Sequence, residues 1–216
     1  MRLAYLPLLL LPALAQAQEA CPTAADLQAG IVFDIGEGEK EVYKDIGNGV
    51  IEVTYSDTEG FESRTLLGQG VYLLELVDLE DGQPVPISRT TYSHKLTPVD
   101  MPKPSPNSSW TSEVVSLNDG NLEREVHDHR FGAAGNITLG ACTYDKIRVT
   151  VHYDDGDNSV DTLEYLPDLG VGLLVGVAYD NGDGTRTDDV YRYFDVARVG
   201  AASAKQEGGR KSQGRD

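Results

Sequence analysis

Residues 123–129, Glu-Arg-Glu-Val-His-Asp-His, are the densest set of side chains in this sequence that could do chemistry. Alternate residues of a β-strand share one face of a sheet, so Glu123, Glu125, His127 and His129 would form one row. Neighbours in such a row are about 7 Å apart, which lets one metal ion take both imidazoles if an adjacent strand adds a ligand. His127 and His129 are therefore the candidate metal ligands.

A third ligand for this site would come from His94 or His152, the other two histidines of the chain. Zinc and copper are the divalent ions that accept imidazole ligands of this kind. The alternative interpretation is a polar strand face that lies in solvent and forms charge pairs. The sequence leaves both interpretations open.

Two groups of aspartates suggest calcium, but their spacing favours turns. Calcium needs six to eight oxygen ligands from loop positions of defined spacing, and neither segment has that spacing. Asp-Gly and Asn-Gly pairs are also typical of tight turns, because these residues tolerate positive φ angles. The residues concerned are Asp154, Asp155 and Asp157 in one group, and Asp180, Asp183, Asp188 and Asp189 in the other.

Motifs of the common catalytic sites are absent from the sequence. It contains no Gly-x-Ser-x-Gly, His-Glu-x-x-His or phosphate-binding Walker pattern. The glycines of residues 170–176 depart from the dinucleotide fingerprint, and no helical pattern follows them. We therefore predict no catalytic residue and no organic cofactor, and we expect a protein that is not an enzyme.

The elements that must position these residues are strands. Residues 22–30 have the Pro and Gly signals of one short helix, and residues 98–106 hold four prolines that no sheet ladder can accept. The rest predicts about 10–12 strands separated by Asp, Asn and Gly turns. We expect an all-β, mainly antiparallel meander that forms an open or half barrel, with a β-sandwich as the alternative. The predicted strands include residues 31–35, 50–55, 71–79, 87–96, 110–117, 122–131, 147–153, 160–166, 171–179 and 190–199.

The N-terminus has the charged, apolar and small-residue order of a secretory signal peptide in residues 1–17. A lipoprotein signal with Cys21 as the acylated residue is the alternative. Cleavage after Ala17 would leave a single β domain over residues 18–200 and a disordered tail over residues 201–216. An exported protein meets an oxidising compartment, so we predict a periplasmic or secreted protein with a disulfide between Cys21 and Cys142.

The charge balance excludes several classes of partner. The formal charge of −17 becomes −18 without Arg2, and residues 201–216 carry four basic against two acidic side chains, which leaves about −20 on residues 18–200. Such a body repels nucleic acid and anionic lipid head groups. No apolar run is long enough to span a bilayer as a helix, so no transmembrane segment is predicted.

Two later segments carry a resemblance to a known class of protein. Cys142-Thr143-Tyr144 and the Tyr-Leu-Pro-Asp-Leu-Gly turn that begins at Tyr165 resemble exported proteins of Gram-negative bacteria, some of which are similar to lipoprotein-carrier proteins. The resemblance implies a β-sheet that curls and holds acyl chains. The leading hypothesis is an exported binding module for an apolar ligand or a protein partner. A metal-binding protein or metal-dependent enzyme centred on His127 and His129, and a structural envelope protein, are the alternatives.

Overall fold

A computed structural model of the chain describes residues 20–154 and 158–200. The predicted signal peptide, the predicted tail, Asp155 and Asp157 lie outside these residues. Three short 3-10 helices span Ala24–Gln28, Pro86–Ser88 and Pro98–Asp100. The strands are β1 (Ile31–Gly36), β2 (Glu39–Gly47), β3 (Val50–Ser56), β4 (Glu62–Gly68), β5 (Tyr72–Glu80), β6 (Gln83–Pro84), β7 (Thr90–His94), β8 (Ser109–Asn118), β9 (Asn121–Leu139), β10 (Cys142–Tyr153), β11 (Val160–Leu166), β12 (Val171–Asp180), β13 (Arg186–Val190) and β14 (Asp195–Arg198).

All the strands belong to one antiparallel sheet, so the predicted all-β antiparallel meander is confirmed. Most strands pair with the strands before and after them in the chain, and β6 pairs only with β5. The described residues form fourteen strands rather than ten to twelve. β14 breaks the simple order, because it pairs with β1 at the edge opposite to β13.

The sheet curls until its two edges come close together. Residues 191–194 alone connect β13 at one edge to β14 at the other. Five Cα–Cα steps span at most about 18 Å, so the ends of these two edge strands cannot lie further apart. The strands at the two edges are not hydrogen-bonded to each other, and the sheet stays open.

Contacts between the two halves of the sheet form the core on its concave face. One apolar cluster joins β1–β4 to β10–β12, and it contains Phe33, Tyr43 and Leu173 among its buried residues. At one end the halves touch directly, because the Gly172 amide donates to the Gly70 carbonyl at 2.9 Å. A side chain at Gly70 would lie 2.2 Å from a backbone oxygen, so this approach requires glycine.

A disulfide between Cys21 and Cys142 fastens the start of the described chain to β10, as the sequence predicts. Arg198 of β14 holds the same segment from the other side. Its guanidinium donates to the Ala20 carbonyl at 2.6 Å and to the Asp26 carboxylate at 2.8 Å. The N-terminal segment therefore links strands of both halves of the sheet.

The predicted helix and the proline-rich loop are both present. The helix is a 3-10 turn over Ala24–Gln28, where the Asp26 carboxylate accepts from the Thr23 amide at 2.8 Å. The proline-rich residues form the 3-10 turn Pro98–Asp100 and a loop. Within the described residues, no helix is long and apolar enough to cross a membrane.

Candidate functional site

The two predicted ligand histidines share the concave face of β9, as the alternation rule requires. His127 lies opposite Tyr153 of β10, and His129 lies opposite Val151. Their exposed fractions are 0% and 1%, so the alternative of a solvated polar face is wrong for these two residues. Glu125 belongs to the same row, and its Oε2 lies 2.9 Å from Nε2 of His127. The row thus enters the protein core from Glu125 onward, whereas Glu123 is exposed.

Aromatic rings from neighbouring strands surround the histidines. The ring centroid of Tyr153 lies 4.6 Å from that of His127, and the centroid of Tyr72 lies 4.8 Å from that of His129. The ring centroid of Trp110 lies 5.9 Å from that of His129. Burial and the nearby imidazoles lower the pKa of His129 from 6.5 to about 3. His129 is therefore neutral at physiological pH, and these residues form a packed aromatic cluster.

His94 belongs to this cluster, and its side chain also connects β7 to β5. β7 pairs with β5 at only two residues, so the ladder ends before it reaches His94. Nε2 of His94 lies 2.9 Å from the Leu73 carbonyl, and Nδ1 lies 3.1 Å from the Ser112 hydroxyl. Burial lowers the pKa of His94, which favours the neutral ring. The side chain thus replaces a missing backbone contact between β5 and β7.

The candidate third ligands are placed differently from the prediction. His152 is exposed and lies opposite Asp128 on the convex face, so its proposed role as a third ligand is wrong. His94 lies 5.8 Å from His127 between ring centroids, but both of its nitrogens already have partners. Among the described residues, no group of three or more His, Cys, Asp or Glu side chains is arranged to hold a metal ion. Metal binding at His127 and His129 stays a prediction.

Asp180 and Asp183 of the second acidic group form hydrogen bonds within the protein, as the turn interpretation expects. Asp183 accepts from the Thr185 amide at 2.9 Å within its own turn. Asp180 accepts from Arg186 at 2.6 Å and from Asn158 at 2.9 Å.

A groove lies beside the histidine cluster on the same concave face, and the sequence pattern indicates none of its residues as a binding site. It consists of two adjoining cavities of about 300 and about 350 Å³, which share Glu41, Val53, Thr65 and Leu174 in their walls. The first cavity is mostly apolar and reaches β5, β11 and β12. The second opens toward residues 191–193, which cross between the edges of the sheet.

Glu41 is the most unusual residue of the groove. The hydroxyls of Tyr43 and Tyr193 donate to its Oε2 at 2.7 and 2.8 Å. Removal of water from around the carboxyl raises the pKa of Glu41, although the two hydrogen bonds act against this rise. Burial and the charge of Glu41 hold the pKa values of both tyrosines well above their ordinary value.

Two further tyrosine–carboxylate pairs line the groove. The Tyr153 hydroxyl donates to Asp161 at 2.8 Å in the first cavity. Tyr55 and Glu39 both line the second, and burial together with the nearby Glu39 carboxylate raises the pKa of Tyr55 to about 12. The groove therefore combines apolar walls with carboxylates that tyrosine hydroxyls orient.

A signal for this site does exist in the sequence of β2. Glu39, Glu41 and Tyr43 alternate, which places them on one face of a strand. The acidic residues make that face look solvent-exposed, so the pattern does not indicate a pocket wall. No protein-family model, curated protein or solved structure matches this chain at a significant level.

Proposed function

We propose that the protein is an exported binding protein that holds a small, largely apolar molecule in the groove. The observation that carries this proposal is the pair of adjoining cavities on the concave face. Natural ligand pockets have volumes of about 300–1,000 Å³ and mostly apolar walls with a few polar groups. The groove fits this description, since Leu67, Leu73 and Leu163 line it together with Glu41.

Export is part of the same proposal. The signal-like order of residues 1–17 supports it, and the disulfide between Cys21 and Cys142 suits an oxidising compartment such as the periplasm or the cell exterior. The resemblance of residues 142–197 to exported proteins, some of which are similar to lipoprotein carriers, points the same way, because those carriers hold acyl chains within a curled sheet. A carrier outside the cytoplasm would need such a groove.

A dye titration with a blocking variant tests the proposal. Leu174 belongs to both cavities, so Leu174→Trp should fill the space where they meet. An uncharged phenyl-naphthylamine dye, which fluoresces in apolar surroundings, should bind the wild type saturably at one site. We expect the affinity of the blocking variant for the dye to be lower by a factor of about ten or more.

Leu122→Trp is the matched control, because Leu122 is 71% exposed in the β8–β9 hairpin and lies outside the groove lining. This variant should bind the dye as the wild type does. Circular dichroism would confirm that both variants fold. Wild-type protein that fails to bind the dye, or equal binding by the folded Leu174→Trp variant, would overturn the proposal.

A further inference from the structure

We propose that the ligand of the groove is an aliphatic amine, whose positive ammonium group pairs with Glu41 while its hydrocarbon part lies against the apolar wall. This inference rests on the proposed binding function and specifies the chemical class of the ligand. It follows from the charges of the groove lining, the partners of Glu41 and the arrangement of the tyrosines.

The groove lining contains negative charges and no positive ones. Among the described residues, its walls include Glu39, Glu41 and Asp161 but no lysine, arginine or histidine. Like charges in an enclosed site of low dielectric repel each other strongly. A carboxylate ligand such as a fatty acid would therefore be repelled, and a cation would be attracted.

The two carboxylates that are fully buried among the described residues have basic partners. Glu75 is 4% exposed and pairs with Arg64 at 2.6 Å and with Arg89. Glu164 is 3% exposed and pairs with Lys146 at 2.9 Å and with Arg148. Both follow the rule that buried charges are paired.

Glu41 is half-buried and differs from these two glutamates in its partners. No lysine or arginine of the described chain pairs with it, and its neighbours are the hydroxyls of Tyr43 and Tyr193. Both hydroxyls donate to Oε2. The carboxylate thus has hydrogen bonds that orient it and no positive charge that balances it. A cationic ligand would therefore meet an oriented carboxylate that has no basic partner among the described residues.

An ammonium group fits this position on two grounds. It would donate a charge-assisted hydrogen bond to the carboxylate, and such bonds are stronger than those between neutral groups. Tyrosines also line the groove at positions 43, 55, 153, 191 and 193, and aromatic faces attract cations through their quadrupole. Val53, Leu174 and Val177 supply the apolar surface for a short alkyl chain.

Competition among three ligands of equal chain length tests this inference. Decylamine, decanol and decanoate share a ten-carbon chain and have a cationic, a neutral and an anionic head group at neutral pH. Each would be used below its micelle concentration or solubility limit to displace the uncharged dye. We expect decylamine to bind about tenfold or more tightly than either of the others. Decanol or decanoate that binds as tightly as decylamine would overturn the inference, while dye binding would still support the proposed function.

A variant pair then assigns the preference to Glu41. Glu41→Gln keeps the shape of the side chain and removes its charge, so the affinity for decylamine should fall to about that of decanol. Glu80→Gln removes an exposed carboxylate outside the groove lining and should leave the preference unchanged. An unchanged preference in Glu41→Gln would refute the role of Glu41, and a wild type that binds neither the dye nor any ligand would refute the binding function itself.

Discussion

Mild acid should destabilise this protein through His129, whose imidazole is buried in its neutral form. Its pKa is about 3 in the folded protein and 6.5 in the reference state that stands for the unfolded chain. Between these values the unfolded chain binds a proton that the folded protein does not bind, so the free energy of unfolding falls as the pH falls. The slope is about 1.4 kcal/mol per pH unit below the unfolded pKa, which amounts to about 2 kcal/mol between neutral pH and about pH 5.

Other groups contribute to the same pH range, so the measurement needs a difference between variants. His94 acts in the same direction, because burial lowers its pKa as well. Glu41 acts in the opposite direction, because a raised carboxyl pKa contributes stability at low pH that is lost as the pH rises. His129→Phe keeps an aromatic ring against Tyr72 and removes the titration.

Urea unfolding followed by tryptophan fluorescence would measure the effect. Trp110 is the only tryptophan of the chain and contacts the His129 ring, so it reports on this part of the core. The loss of unfolding free energy between neutral pH and about pH 5 should be about 2 kcal/mol smaller in His129→Phe than in the wild type. His152→Phe is the control, since His152 is exposed. An equal pH dependence in His129→Phe and the wild type would refute the reasoning.

Three further predictions concern the disulfide, the close contact at Gly70, and metal binding at the two buried histidines. Reduction of the disulfide frees a loop of 121 residues and should lower the free energy of unfolding by about 5 kcal/mol, measured by urea unfolding with and without reductant. Gly70→Ala should cost about 2 kcal/mol or more because of its φ of +74° and the close backbone oxygen, whereas Gly82→Ala, with φ of +71° and open space, should cost less. Elemental analysis should find stoichiometric zinc or copper if His127 and His129 bind metal, and its absence would remove that prediction.

The strand pattern was predictable from sequence wherever alternation is carried by apolar side chains. β10 is the clear example, because Ile147, Val149 and Val151 alternate with polar residues and lie buried. β9 was predicted only to residue 131, yet it continues to Leu139. Residues 132–135 are Gly-Ala-Ala-Gly, which carry no alternation, and pairing with β10 sets their conformation instead.

The candidate sites show a different limit of sequence reasoning. Alternation predicted that His127 and His129 share a face, but a period of two does not say which face is buried. β2 was missed altogether, because Glu39 and Glu41 occupy the concave face where apolar residues are expected. Alternation identifies the buried face of a strand when that face is apolar. It fails where the buried face carries charged residues, as in β2.

The concave face carries packed rings on β7–β10 and a groove between β2–β5 and β11–β12. On β7–β10 the rings of His94, Trp110 and His127 meet across neighbouring strands and fill the space. In the groove, the walls combine small side chains such as Val53, Thr65 and Val177 with tyrosines. Tyr153 lies at the boundary, because its ring contacts His127 and its hydroxyl donates to Asp161 in the groove wall.

This boundary gives the two halves separate roles. The aromatic cluster on β7–β10 has no share in the groove lining except through Tyr153, so its histidines act on stability. Glu41 lies in the groove with hydroxyl partners alone, so under the proposed function its charge would select what the groove accepts. Since a cavity in a core lowers stability, the packed cluster on β7–β10 would offset part of the destabilisation that the groove causes.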